Sequence, residues 1–262
     1  MGYRKGIVYF VDVLGSQERT KDSLKFDESY FIADTFITEM ENIQKRHRKT
    51  SMVDRSVFSF SDCAYIVYSL KDEFQSYENE MKMIYTSLYN TQQTICTFLY
   101  NGFLCRGGIS FGDVYHDITR NIVFGPAVNN AYKLESEAIY PNLIFQDTLS
   151  ERLVSYDKEL KRNNEEAALL NGNIVRYNSK TKKFFLNYLN YFYNTGSASL
   201  GNCAVFHDDF YLKSMTLCKN TLETLDDEHV KEKYRWQLDY LEKEKSFQEK
   251  NCATQEDILD LF

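Results

Sequence analysis

The sequence predicts an α+β fold: an antiparallel sheet with helices on one face and a helical C-terminal extension. Three observations carry this. Short apolar runs of strand composition alternate with two long segments of helical period. Their order is strand, helix, hairpin, helix, strand, strand, helix, strand, a βαββαβ plan followed by two more strands and a helix. The last stretch, 208–250, is charged and strongly helical, with Trp236, Leu238 and Leu241 as its main apolar positions.

The first strand is the apolar run Val8 to Val13, which ends in Asp12 and a Leu14-Gly15-Ser16 turn. Residues 21–25 read as a polar loop. A helix follows over 28–48, with Phe31, Ile32, Phe36, Ile37, Met40 and Ile43 at spacings near three and four. Its basic end suits a helix C-terminus. Residues 56–61 and 63–69 form a hairpin with Asp62 at the turn. A second helix over 73–100 buries Met83, Ile84, Leu88, Ile95, Phe98 and Leu99, and Asn101-Gly102 stops it.

A long strand over 103–115 contains Gly107, Gly108 and Gly112, and glycine inside a strand marks a bulge or a close backbone approach. A short strand over 121–124 leads through Gly125-Pro126 into a helix to Glu135. Asn129 and Lys133, four apart, share one face of it. A strand over 142–145 and a helix over 148–154 come next. Residues 158–166 are charged and exposed, and 176–183 form a turn between two short strands. Residues 184–193 are aromatic-rich and pack as strand or loop. The chain divides at 155 into a core, 1–155, and a remainder with the charged extension, 156–262.

A net charge of −7 argues against a basic nucleic-acid surface. No run of 18 apolar residues exists, so no membrane span is expected. The six cysteines form no CxxC pair and only four histidines are present, which disfavours a zinc site. With no secretory signal, free thiols in a cytoplasmic setting are expected.

Asp12 and Asp62 are the candidate chemistry. Either one alone reads as a turn or cap residue. Side by side they suit two divalent cations, Mn²⁺ or Mg²⁺, and a triphosphate.

Four stretches in order resemble the class III nucleotidyl cyclases: Phe10-Val11-Asp12-Val13-Leu14-Gly15-Ser16, Ser59-Phe60-Ser61-Asp62-Cys63-Ala64, Arg106-Gly107-Gly108-Ile109-Ser110-Phe111-Gly112, and Gly125 through Glu135. The match covers residues 5–150 and leaves the C-terminal third uncovered. It implies the family's ferredoxin-like βαββαβ palm. It also implies metal ligands at Asp12, Asp62 and the Val13 carbonyl, and a phosphate cradle from the N–H groups of Leu14, Gly15 and Ser16. Asn129 would orient the ribose. Lys133 stands where the family has its transition-state arginine, so its phosphate contact is less directional. Arg106 is either a phosphate contact or a structural counter-ion.

At the family's two purine-reading positions stand Phe58 and Ile122, both apolar. Read as walls of a base pocket, they resemble the bacterial pyrimidine cyclases of the Pycsar antiphage system. That resemblance implies conversion of UTP to cyclic UMP, a homodimer with composite sites, and a separate effector that responds to the cyclic nucleotide. The alternatives are CTP as substrate and a degenerate nucleotide-binding domain. Retention of both aspartates favours the enzyme. A diguanylate cyclase is disfavoured because its Gly-Gly-Asp/Glu-Glu-Phe hairpin is replaced by Phe60-Ser61-Asp62-Cys63.

Overall fold

A computed structural model describes residues 2–16, 26–45, 52–163, 174–191 and 203–259. The expected loop over 21–25 and the basic segment 46–49 lie outside them. The chain forms two compact units, Met1–Tyr188 and Leu189–Phe262.

The first unit is built on β1 (Arg4–Val13), α1 (Phe26–Lys45), β2 (Val53–Phe60), β3 (Cys63–Leu70), α2 (Tyr77–Tyr100) and β4 (Cys105–Asp117). It continues with β5 (Ile122–Phe124), α3 (Pro126–Glu137), β6 (Leu143–Phe145), α4 (Asp147–Arg162), β7 (Val175–Asn178) and β8 (Lys183–Leu186). The sheet order is β2-β3-β1-β4-β6-β8-β7, and β5 pairs with β4 outside that path. β1 is therefore central and sits between β3 and β4, antiparallel to both.

Two expectations change. The sheet is mixed, because β6 lies parallel to β4. A strand that returns beside its predecessor in the same direction needs a crossover, and α3 lies in that connection. Helices also cover both faces rather than one. Side chains alternate along β1, so Tyr9 faces one way and Val8, Phe10 and Asp12 the other. The Tyr9 hydroxyl meets Ser87 Oγ of α2 at 2.6 Å. On the opposite face Val8 and Phe10 pack with Phe58, Val67, Ala127, Val128 and Ala131, so α3 lies there. The sheet also runs past residue 155: β7 and β8 join it through Ile144 opposite Phe185.

Helix periodicity explains most of the core. In α2, Met83, Ile84, Leu88, Ile95, Phe98 and Leu99 are all buried, and Ser76 caps the first turn by accepting from the Asn79 N–H. In α1, Phe36, Met40 and Ile43 are buried while Ile37 is exposed. Ile37 follows Phe36 by one residue, a step that turns it off the stripe at 36, 40 and 43.

The glycines of β4 decide how close α3 comes. A Cβ on Gly108 would stand 2.2 Å from the Ala131 carbonyl oxygen and 2.5 Å from Leu134 Cβ. The helix backbone thus lies directly on the strand.

The second unit holds α5 (Cys203–Thr224) and α6 (Glu228–Leu259). The buried positions of α6 are Tyr234, Gln237, Tyr240, Leu241, Glu244 and Gln248. Trp236 is only half-buried and stacks on Tyr240 at 5.2 Å. Gln248 is engaged at both ends of its amide. It accepts from the Tyr211 hydroxyl at 3.3 Å and donates to the Leu189 carbonyl at 2.9 Å. No helix among the described residues is long and apolar enough to cross a membrane.

Gly108→Ala is expected to lower stability by about 1–3 kcal/mol, the usual cost of overpacking. The measurement is the urea midpoint, which should fall with little change in slope.

Candidate active site

The acidic rim is assembled by a pinned corner after β1. The Val13 N–H donates to the Asp62 carbonyl at 3.1 Å and the Leu14 N–H to the Leu104 carbonyl at 2.8 Å. Gly15 then turns with φ +78°, a region that favours glycine. Ser16 is buried and its hydroxyl donates to Asp62 Oδ2. The corner is therefore tied on one side to the β2–β3 turn and on the other to the entry of β4. The turn itself carries Ser61 at φ +53°, which is costly for a residue with a Cβ.

Register sets the neighbours. Asp12 lies opposite Cys63 on β3 and opposite Arg106 on β4, so these three side chains form one row on the α3 face. Phe58, Tyr65, Phe10 and Gly108 form the next row. The Phe10 ring touches Tyr65 at 4.7 Å and Tyr132 of α3 at 5.5 Å.

Arg106 Nε stands 2.5 Å from Glu135 Oε1 and 3.6 Å from Asp12 Oδ2. Neither Nε nor Oε1 is in an aligned hydrogen bond, so the contact is one of charge. Two carboxylates, Asp12 and Glu135, thus share one guanidinium. The Asp12 carboxyl is raised to about 6, first by burial and then by the charge of Glu135, with Arg106 opposing and Asp62 adding to the rise. Burial and the same acids push the Cys63 thiol up to about 11. Burial raises Tyr65 to about 12.

The structure brings Asp12, Val13, Asp62 and Arg106 together. It does not bring Asn129 and Lys133 to them within one chain. Both are exposed on the outward face of α3, Lys133 with 77% of its side chain accessible, whereas Glu135 faces inward. Two further expectations are corrected. The Leu14 N–H is taken by Leu104, which removes it from the phosphate cradle. Phe58 is 1% exposed inside the core cluster, because alternation along β2 turns it into the α3 layer. It fills volume beneath any base pocket rather than walling it. Ile122 is half-buried on β5, opposite Asp117.

Three residues gained roles that the sequence reading had not given them. Glu135 was the last residue of the α3 motif, and its inward phase was readable from Ala131 and Leu134. The Ser16 side chain and Cys63 gave no separable signal, since their roles come from the corner and the strand register.

Among the described residues no group of three or more His, Cys, Asp or Glu side chains forms a metal-holding cluster. The donors expected at the rim are two carboxylates, Asp12 and Asp62, with the Val13 carbonyl. That set fits a hard cation of the Mg²⁺ or Mn²⁺ kind, which completes its shell with phosphate oxygens and water. The excess of negative charge around Asp12 supports the same fit.

A cleft of about 620 Å³ lies at the opposite end of β1. Arg4 pairs there with Asp54 at 2.8 Å and Asp72 at 3.1 Å, while the buried Arg55 lies over the Tyr68 ring at 5.8 Å with its Nε and one terminal nitrogen unpartnered. The His116 ring is held between Ser56 Oγ at 2.9 Å and Ser69 Oγ at 2.8 Å, and burial lowers its pKa, keeping it neutral. The acidic rim, with its unbalanced charge, is the better seat for chemistry. No known protein family matches the chain, and no curated protein shows significant similarity to it.

The raised Asp12 carboxyl has a consequence for stability without cations. The fold binds this proton more tightly than the unfolded chain does. The contribution is complete below about pH 4, near the unfolded pKa, and is lost as pH rises through about 6. In EDTA, Asp12→Asn is therefore expected to be more stable than wild type at pH 7.5. The gain should vanish as pH falls to about 4. Urea midpoints of both proteins across that range are the measurement.

Proposed function

We propose that this chain is a nucleotidyl cyclase that resembles the class III enzymes and converts UTP to cyclic UMP and pyrophosphate. The observation that carries the reading is the joining of Asp12 and Asp62 at one rim, through the Val13 N–H to Asp62 carbonyl bond and the Asp12–Cys63 register. The element order from β1 to β4 supports a ferredoxin-like palm.

In this reading Asp12, Asp62 and the Val13 carbonyl hold two divalent cations, Mn²⁺ or Mg²⁺, which when bound acidify the ribose 3′-hydroxyl and neutralise the leaving group. The chain's own residues do the rest. The 3′-oxygen attacks the α-phosphorus in line, forming the new ester bond as the bond to pyrophosphate breaks. Asn129 holds the ribose so that this oxygen is aimed, and Lys133 stabilises the charge that builds on the phosphoryl oxygens. Gly15 and Ser16 border the triphosphate. Arg106 balances the carboxylates.

The outward position of Asn129 and Lys133 supports a homodimer. Each chain lends these two side chains to the acids of its partner, and two symmetric sites result. The exposed rings of Phe60 and Tyr132 flank this surface.

Ile122 supports a pyrimidine substrate, and Phe58, buried in the core beneath, offers no polar reader at the second position. A purine meeting these positions leaves its ring nitrogens unpaired, at about 1–3 kcal/mol for each buried group. UTP is the favoured substrate and CTP the second. The product serves as a cytoplasmic antiphage second messenger read by a separate effector protein. Neither nucleic acid nor membrane is part of this role.

The deciding experiment gives the purified protein equal UTP, CTP, ATP and GTP with Mn²⁺ and identifies products by mass. Cyclic UMP is expected; cyclic AMP or cyclic GMP as the main product overturns the base assignment. No pyrophosphate release from any of the four selects the degenerate nucleotide-binding domain. Asp12→Ala and Asp62→Ala are each expected to abolish turnover in folded protein.

Shared sites give a separate expectation. Mixing inactive Asp62→Ala with inactive Lys133→Ala restores activity, because one site in each mixed pair is intact. Samples verified to exchange subunits that stay inactive contradict the composite arrangement.

A further inference from the structure

α3 looks both ways. Its outward face carries Asn129 and Lys133, and its inward face carries Glu135, which is 7% exposed. All three sit on one 12-residue helix, so they move as one body. The close approach of Ala131 to Gly108 seats that body on β4, two residues from Arg106. Glu135 draws the Arg106 guanidinium to 2.5 Å, leaving it 3.6 Å from Asp12.

We infer that Glu135 is a positioning residue that regulates the Asp12–Asp62 site through Arg106, coupling the seat of α3 to cation affinity at that site. The inference rests on the reading of Asp12 and Asp62 as cation-holding carboxylates. While Glu135 holds the guanidinium, Asp12 keeps its oxygens for a cation. When Glu135 is withdrawn, Asp12 becomes the nearest carboxylate, and arginine and cation compete for it. Substrate gripped by Asn129 and Lys133 pulls on the same helix. Events at the site to which α3 lends its outer face are thereby felt by the chain's own acids, and the two sites of a pair communicate through one helix.

The test is Mn²⁺ binding without nucleotide, followed by the electron paramagnetic resonance of free Mn²⁺. The proteins are wild type, Glu135→Gln, Arg106→Met and the double variant, each checked for fold by circular dichroism. Glu135→Gln is expected to weaken binding about ten- to a hundredfold, the usual effect of losing a group that orients a ligand. The double variant is expected to recover most of that loss, since the competing guanidinium is gone. Unchanged binding in Glu135→Gln overturns the inference, and so does a double variant as weak as the single one.

If Glu135→Gln does not fold, Arg106→Met is compared with the double variant. A change under about twofold is expected there, and a tenfold change overturns the coupling. Wild type that binds Mn²⁺ while the variants fail to respond leaves the cation reading standing. Wild type that binds none removes both.

Discussion

Two backbone hydrogen bonds hold the acidic rim together: Val13 N–H to the Asp62 carbonyl and Leu14 N–H to the Leu104 carbonyl. They come at the point where β1 leaves the sheet and its ladder partners run out. Unpaired amides there would be costly, since burial without a partner forfeits the hydrogen bonds that water supplied. The chain satisfies them by folding the corner onto a hairpin turn on one side and onto the start of β4 on the other. The first of these bonds, with the Asp12–Cys63 register, brings a carboxylate from β1 beside a carboxylate from the β2–β3 turn, 50 residues apart in sequence. Structural satisfaction and site assembly are one event here.

The electrostatic state of the rim follows from that placement. Burial alone disfavours the Asp12 carboxylate, and Glu135 adds a like charge. Arg106 is the opposing charge, and it is divided between two acids. A pair left in this balance is poorly described as a stabilising salt bridge, because the desolvation of its members offsets much of their attraction. It is better described as an arrangement whose carboxylates lack sufficient positive charge. Such an arrangement has a reason to take up cations.

Much of this was legible in the sequence because it rests on short-range rules. Periodicities of two and three to four residues gave β1, the hairpin, α2 with its buried stripe, and α3; β7 and β8 were only partly legible, since the turn expected over 176–183 takes in most of β7. What was not legible depends on contacts distant in sequence. The parallel pairing of β6 with β4 and the placement of α3 opposite α2 leave no local mark in either segment. The buried stripe of α6 was misread for a different reason. Gln237, Glu244 and Gln248 are polar residues in core positions, so an apolar count selected Trp236, Leu238 and Leu241, of which only Leu241 is fully buried. In the site, Asp12 and Asp62 stood out by their strand-end settings. Glu135 did not, although its spacing from Ala131 turned it inward, because a glutamate on a helix is usually solvated.

In the proposed cyclase, the seat of α3 is what makes one chain chemically incomplete. A helix pressed onto a sheet offers its inward face to that sheet and its outward face to something else. Gly108 brings the backbone of α3 so close that the inward face is fully spent on β4 and β1. Asn129 and Lys133 cannot turn back to Asp12 without dislodging Ala131 and Leu134 from that contact. Their groups therefore act, if they act on phosphate or ribose, on a substrate held by acids other than their own. The intimate packing that fixes Glu135 and Arg106 beside Asp12 is the same packing that, in the proposed cyclase, leaves the opposite face of the helix to a second molecule.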